Sequence, residues 1–208
     1  GISFAGTGTF TFATAGNPGS ITGTAFVNSS SHGISLAGTN CTANIFATTI
    51  TSTTTGTGYG LSVGGTNTLL TITANQLNSV GCVTSAIYIS GSLNSSSSIT
   101  VSGTIYGSNS QQNNAGIYYA SGSTIAINHS GSCIAQSANN GSAIINGSAS
   151  GTINYTGNPV GNSSGASFAA VTNASTGTFN ITGSVTAGGI VAGMANNSTG
   201  LIRVRSEE

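Results

Sequence analysis

Charge is what this sequence lacks. Its 208 residues include only four charged side chains, Arg203, Arg205, Glu207 and Glu208, all within the last six positions. Residues 1–202 contain no Lys, Arg, Asp or Glu, leaving two histidines and three cysteines as the only candidates for acid, base or nucleophile. Hydrolase, lyase and phosphoryl-transfer chemistry needs a general base, an acid or a charged clamp. Nucleic-acid binding needs cations that displace counterions from phosphates. Composition therefore argues against both, and no catalytic residue, metal or cofactor is expected. Apolar runs are also missing: none approaches the ~18 residues that suggest a transmembrane helix, and no charged n-region with an apolar h-region opens the chain. The sequence starts at Gly1 without Met, which reads as a processed chain or a piece of something larger.

What fills the chain is Gly (32), Ser (34), Thr (31) and Asn (22), together 119 residues. Such a composition usually means linker or disorder. Here, however, Ile, Val, Phe and Tyr recur at regular intervals, which favours an ordered fold. Cys41, Cys82 and Cys133 are odd in number, and their spacings match no zinc or redox motif. They read as small buried fillers, with one disulfide or an intermolecular bridge as the alternative.

The main signal is internal repetition. A motif of Gly or Ala, apolar, any, apolar begins at Gly1 (GISF), Gly33 (GISL), Gly60 (GLSV), Ala86 (AIYI), Gly116 (GIYY) and Ala143 (AIIN), then more weakly at Ser167 (SFAA) and Ile190 (IVAG). Roughly ten residues on, a second motif returns: TFTF at Thr9, NIFATTI at Asn44, LTITANQL at Leu70, ITVSGTI at Ile99, INHSGSCI at Ile127, INYTGNPV at Ile153 and FNITGSV at Phe179. Ile99 and Val101 alternate with Thr100 and Ser102, the period-2 pattern of a strand with one apolar face. Strands of three to five residues cannot stand alone, but stacking identical coils ~4.8 Å apart pairs every backbone and aligns the apolar positions into ladders. The expectation is an all-β single domain over residues 1–208, a parallel β-helix (β-solenoid). It would have about 26 residues per coil, roughly seven to eight coils and three short strands per coil. Residues 201–208 form a charged terminal strand leading out of the rod, with Arg203 and Arg205 facing solvent or a partner.

A sandwich would lack a single returning motif, and helix is disfavoured by the Gly, Ser, Thr and Asn load. Pro18 and Pro159 fall where the spacing predicts corners or loops. The segments that break the period, 51–59, 93–98, 107–115 and 161–166, are where recognition is expected. Tyr59, Tyr106, Gln111, Gln112, Asn113, Asn114 and Tyr118 are the candidate ligand-contact residues.

The run GIYYASGSTIAINHSGSCIAQSANNGSAIINGSASGTINYTG, Gly116 to Gly157, resembles the passenger regions of autotransporter-type bacterial surface adhesins, and phage and viral fibres carry similar coils. The resemblance, a loose pattern from about Gly33 to Gly189, implies a right-handed parallel β-helix exposed outside the cell, adhesive or structural, without catalytic residues.

Weighed residue by residue, other chemistry is thin. His32 and His129, the latter four residues before Cys133, have no acidic side chain to orient either imidazole. Catalytic β-helices cleave sugars with charged residues that this body does not contain, whereas Asn, Gln, Ser and Tyr suit a glycan binder. Tyr59, Tyr88, Tyr106, Tyr118 and Tyr119 would then offer stacking faces, although Tyr is also an ordinary strand residue. Thr-x-Thr pairs, such as Thr51/Thr53 and Thr71/Thr73, resemble ice-binding solenoids but fall at different phases of the repeat. Twelve Asn-x-Ser/Thr sequons run from Asn28 to Asn197. Neither end looks like a cap, so flanking domains or a homo-oligomer, a trimer among the options, are expected. The leading expectation is an extracellular or cell-surface adhesin segment with a glycan or cell-surface ligand, no nucleic acid and no membrane insertion. A virion fibre, tail or capsid-decoration protein is the runner-up, and an ice-binding solenoid ranks below it.

Overall fold

The computed structural model describes residues 1–23, 32–53, 58–79, 85–107, 115–135, 142–148, 150–160, 169–186, 193–196 and 199–205. Among them there is no helix, and the strands form two parallel stacks. One sheet holds eight strands of three residues each: β1 (Ile2–Phe4), β4 (Ile34–Leu36), β6 (Leu61–Val63), β8 (Ile87–Ile89), β11 (Ile117–Tyr119), β13 (Ile144–Asn146), β15 (Val171–Asn173) and β17 (Met194–Asn196). The ten-stranded sheet comprises β2 (Gly8–Phe12), β3 (Gly19–Gly23), β5 (Cys41–Ser52), β7 (Leu69–Ser79), β9 (Ser98–Val101), β10 (Ile105–Gly107), β12 (Thr124–Ala135), β14 (Thr152–Pro159), β16 (Thr178–Thr182) and β18 (Leu201–Arg205). Each strand pairs in parallel with its counterpart one repeat away. The chain is a parallel β-solenoid.

Three segments per coil appear as separate strands in β1–β3 and in β8–β10. In β5, β7 and β12 the second and third segments instead run into single strands of 11 or 12 residues. Against β3 the register shifts at Thr48, Gly19 lying opposite Ala47 and Ser20 opposite Thr49, so the chain turns the corner through an irregularity within the strand. The strands are thus longer than the motif spacing implies, because a bulge bends a strand without ending it.

The first six motif starts coincide with β1, β4, β6, β8, β11 and β13, but the last two do not. The seventh and eighth rungs are Val171–Asn173 and Met194–Asn196, so the repeats begin at Ala170 and Gly193 rather than at Ser167 and Ile190. There the strand's third position is an amide, as it already is in AIIN at Ala143. That ladder runs Leu36, Val63, Ile89, Tyr119, Asn146, Asn173 in register, and all six are buried. The amides make interior bonds: Asn146 Oδ1 accepts from the Ser148 N–H at 3.1 Å, and Asn173 Nδ2 donates to the Gly177 carbonyl at 3.1 Å, while Asn173 Oδ1 is buried without a partner among the described residues. Tyr119 serves the same purpose earlier in the stack, its hydroxyl donating to the Ser123 carbonyl. The sequons at Asn146 and Asn173 therefore build the interior.

Further ladders fill the core. Ile45, Ile72, Ile99, Ile127, Tyr155 and Ile181 form one, and Ile21, Ile50, Leu77, Ile105 and Cys133 another. Each fully buried aliphatic side chain contributes ~1.5–3 kcal/mol. The coils close up tightly at the corner after the short strands. A Cβ on Gly38 would lie 2.1 Å from the Gly6 carbonyl oxygen, one on Gly65 2.1 Å from that of Gly38, and one on Gly91 2.0 Å from that of Gly65. Two residues further on, Asn40 and Asn67 both take left-handed backbone (φ 51°), the non-glycine residue type best suited to it, and Asn67 Nδ2 donates to Asn40 Oδ1 at 2.8 Å.

Two expectations about irregular segments change. Segment 93–98 is part of the stack: Leu93 belongs to the core, and the Ser97 hydroxyl accepts from the Leu70 N–H while donating to the Thr68 carbonyl. Pro159 ends β14 rather than occupying a loop, paired in register with Cys133.

Candidate functional site

Pleating sends alternate side chains outward, and identical register stacks them coil upon coil. Ser62, Tyr88 and Tyr118 occupy one such outward column. Tyr59 and His32 each lie two residues before a short strand and join the same stack. Ring centroids are 5.3 Å apart for His32–Tyr59, 4.6 Å for Tyr59–Tyr88 and 5.6 Å for Tyr88–Tyr118, with interplanar angles of 19°, 14° and 12°. The His32 Nδ1 accepts the Tyr59 backbone N–H at 3.1 Å. Burial lowers the His32 pKa and raises that of the Tyr59 hydroxyl, which the neighbouring Tyr88 and Tyr118 raise further.

The structure therefore joins Tyr59 and Tyr118 of the expected contact residues and adds Tyr88 and His32 to them. It separates Tyr106, which lies on β10 in the other sheet, in register with Asn78 and Ile134. Gln111, Gln112, Asn113 and Asn114 lie outside the described residues, as does Cys82. The column also alters the chemistry expected of its tyrosines. A ring stacks on a sugar with its face, and the inner faces here are already covered by neighbouring rings. Tyr119 is fully buried in the core and offers no stacking face. Sequence spacing hides the column because Tyr59 precedes its strand by two residues whereas Tyr88 follows its strand's first residue.

Among the described residues, His129, Cys41 and Cys133 are buried in the packing. His129 is in register with Val101 on the corner of β12 and is 5% exposed. A carbonyl only accepts, so its Nε2 donates to the Gly103 carbonyl at 2.6 Å. In the neutral ring Nδ1 is then the acceptor for the Tyr155 hydroxyl at 2.7 Å. Burial pushes the His129 pKa down, opposed by the Gly103 bond, and pushes the Tyr155 hydroxyl upward. Cys41 and Cys133 are buried free thiols, as the filler reading expects, and burial drives the Cys133 thiol upward. Among the described residues no group of three His, Cys, Asp or Glu could hold a metal ion.

These shifts give the fold an unusual acid response. Both histidines have folded-state pKa values below their ordinary 6.5, so the unfolded chain binds protons more readily. Their contribution to stability is complete above pH ~6.5 and is lost as pH falls from there through the lower folded-state values. With no carboxylate before Glu207, no other side chain of the body titrates between pH 4 and 7. Melting temperature followed by circular dichroism should fall from pH 7 to pH 4 in the native chain. In His32→Gln/His129→Gln the profile should be nearly flat.

A second outward surface lies across β14, β16 and β18. Asn154, Asn180 and Arg203 stand in one register column, and Thr156, Thr182 and Arg205 in the next. Asn180 Nδ2 donates to Asn154 Oδ1 at 2.8 Å. These six side chains line an open groove of about 270 Å³. Both arginines are exposed, and their strand is paired in register within the stack. The groove was legible: INYTG, FNITG and IRVR align directly, but the last lacks the glycine that marks the motif. Threonine pairs, by contrast, do not propagate. Thr49 and Thr51 pair in register with Ser20 and Thr22 on one side but with Gln76 and Asn78 on the other.

The fold and these surfaces define a β-solenoid whose described lateral faces carry charge only at Arg203 and Arg205. Comparison of the chain with protein-family models, curated proteins and solved structures finds no match.

Proposed function

We propose that this chain is a non-catalytic structural or adhesive segment displayed outside the cell, binding glycans or a cell surface through its lateral faces. We take its winding as right-handed, with eight coils of about 26 residues, one for each strand of the short-stranded sheet. The observation that carries the reading is the division of labour among its side chains. The imidazole of His129 and the thiol of Cys133 are committed to the interior, while the outward columns present amides and hydroxyls, as in Asn154/Asn180 and Thr156/Thr182. Amides and hydroxyls in a repeating array suit the hydroxyls of a sugar chain, and an uncharged rod reaches a surface without electrostatic cost. A glycan array and a cell-binding assay with residues 1–208 test this. Binding to a defined subset of glycans is expected, and absence of binding to both glycans and cells would overturn the adhesive role. Sedimentation measures the second alternative: a stable trimer would move the chain to the virion-fibre reading.

A further inference from the structure

We propose that the groove across β14, β16 and β18 binds an acidic saccharide, a sugar chain bearing carboxylate or sulfate groups, through Arg203 and Arg205. This deepens the adhesive reading and rests on it. The two arginines are the chain's only Lys or Arg residues, and they sit at alternate positions of one strand, on the same face and ~6.6–6.8 Å apart along it. Like charges so placed repel and gain nothing for the fold. Among the described residues no acidic side chain faces them, Glu207 and Glu208 lying outside those residues, and an anionic ligand is the complement this face would take.

The rest of the groove fits a sugar. Behind each guanidinium runs a column of neutral hydrogen-bonding groups, Asn180 and Asn154 behind Arg203, and Thr182 and Thr156 behind Arg205. The Asn180–Asn154 bond uses one amide hydrogen and one oxygen lone pair. It leaves the second amide hydrogen of Asn180, and both hydrogens of Asn154, for sugar hydroxyls. Guanidinium recognises carboxylate and sulfate oxygens in a fork, whereas amide and hydroxyl side chains recognise the ring substituents. At about 270 Å³ and open along its length, the groove suits a short stretch of a longer polymer. Nucleic acid fits less well, since two cations displace few counterions and the groove's one aromatic ring, Tyr155, is 1% exposed.

Titration calorimetry of residues 1–208 tests the proposal with oligogalacturonate and a sulfated glycosaminoglycan oligosaccharide, each beside its carboxyl-reduced or desulfated counterpart. An oligonucleotide of matched charge completes the set. The acidic sugars should bind at least about tenfold more tightly than the neutral ones, more weakly as salt rises. That preference should vanish in Arg203→Gln/Arg205→Gln, whose circular dichroism and melting should match the native chain because both side chains are exposed. Equal binding of neutral and acidic sugars, or acidic binding that survives the double substitution, would overturn the proposal while leaving the adhesive reading intact. Failure of every sugar, here and on the array, would overturn the saccharide proposal, and would remove the adhesive reading as well only if binding to cells also failed. An oligonucleotide bound as tightly as the acidic sugars would make the groove a general anion surface and overturn the assignment to saccharide.

Discussion

Replacing Gly65 by Ala should unfold the solenoid at temperatures where the native chain is intact, whereas the same change at neighbouring Gly64 should scarcely register. The methyl group at Gly65 would sit 2.1 Å from the Gly38 carbonyl oxygen, with the Thr68 hydroxyl at 2.9 Å. The first contact is backbone, so nothing can rotate away. Relief requires parting two coils whose ladders are hydrogen-bonded on both sides of the corner, since the Asn40 N–H donates to the Thr66 carbonyl and the Gly64 N–H to that of Leu36. Overpacking ordinarily costs ~1–3 kcal/mol, and a clash with fixed backbone belongs at or above that limit. Because Gly38, Gly65 and Gly91 repeat the contact, separation at one rung propagates to the next. At Gly64 the nearest neighbour of an added Cβ is the Ser90 hydroxyl at 4.0 Å, so Gly64→Ala should be neutral or stabilising by up to ~1 kcal/mol through loss of unfolded-state entropy. Urea unfolding of the two variants measures the contrast. A Gly65→Ala chain with native stability would refute the corner packing.

Tyr155 should be the costliest side chain to truncate. Its ring replaces an isoleucine in the Ile45–Ile181 ladder and is 1% exposed, and its hydroxyl holds His129 at 2.7 Å. Removing the ring alone is worth ~3–5 kcal/mol. Tyr155→Phe isolates the polar part: it keeps the packing and strands the His129 Nδ1, for which a buried unsatisfied acceptor costs ~1–3 kcal/mol. Tyr155→Ala should incur both. A double cycle with His129→Leu should recover much of the Phe penalty, since an apolar neighbour no longer needs the hydroxyl. If Tyr155→Phe unfolds at the native urea concentration, the hydroxyl–imidazole bond contributes nothing and the pair is a packing contact only.

Most of the architecture was legible because a solenoid writes its period into the chain. Ile34, Leu61, Ile87, Ile117 and Ile144 announce their ladder, since each occupies the second place of a visible motif. In the last two rungs Asn173 and Asn196, like Asn146 before them, stand where an apolar residue is expected. Only the carbonyls of Gly177 and Gly200, brought within reach of those amides at 3.1 and 2.6 Å, make the substitution intelligible. The surfaces were less legible. Tyr59 and Tyr118 were expected as separate contact residues, and coil stacking turned them into one column with Tyr88 and His32. Tyr106, expected alongside them, went to the other sheet because its strand forms the third segment of its coil.

The sequence by itself determined that the chain would be a nearly uncharged, parallel, repeating β structure, because composition and period are properties of the chain alone. Tertiary structure decided which side chains meet. Register between coils depends on corner geometry and on where bulges absorb residues, and neither is encoded at a fixed sequence distance. Arg203 and Arg205 read in the sequence as part of a charged terminal strand facing solvent or a partner; in the fold they complete the amide and hydroxyl columns begun at Asn154 and Thr156, about 50 residues earlier.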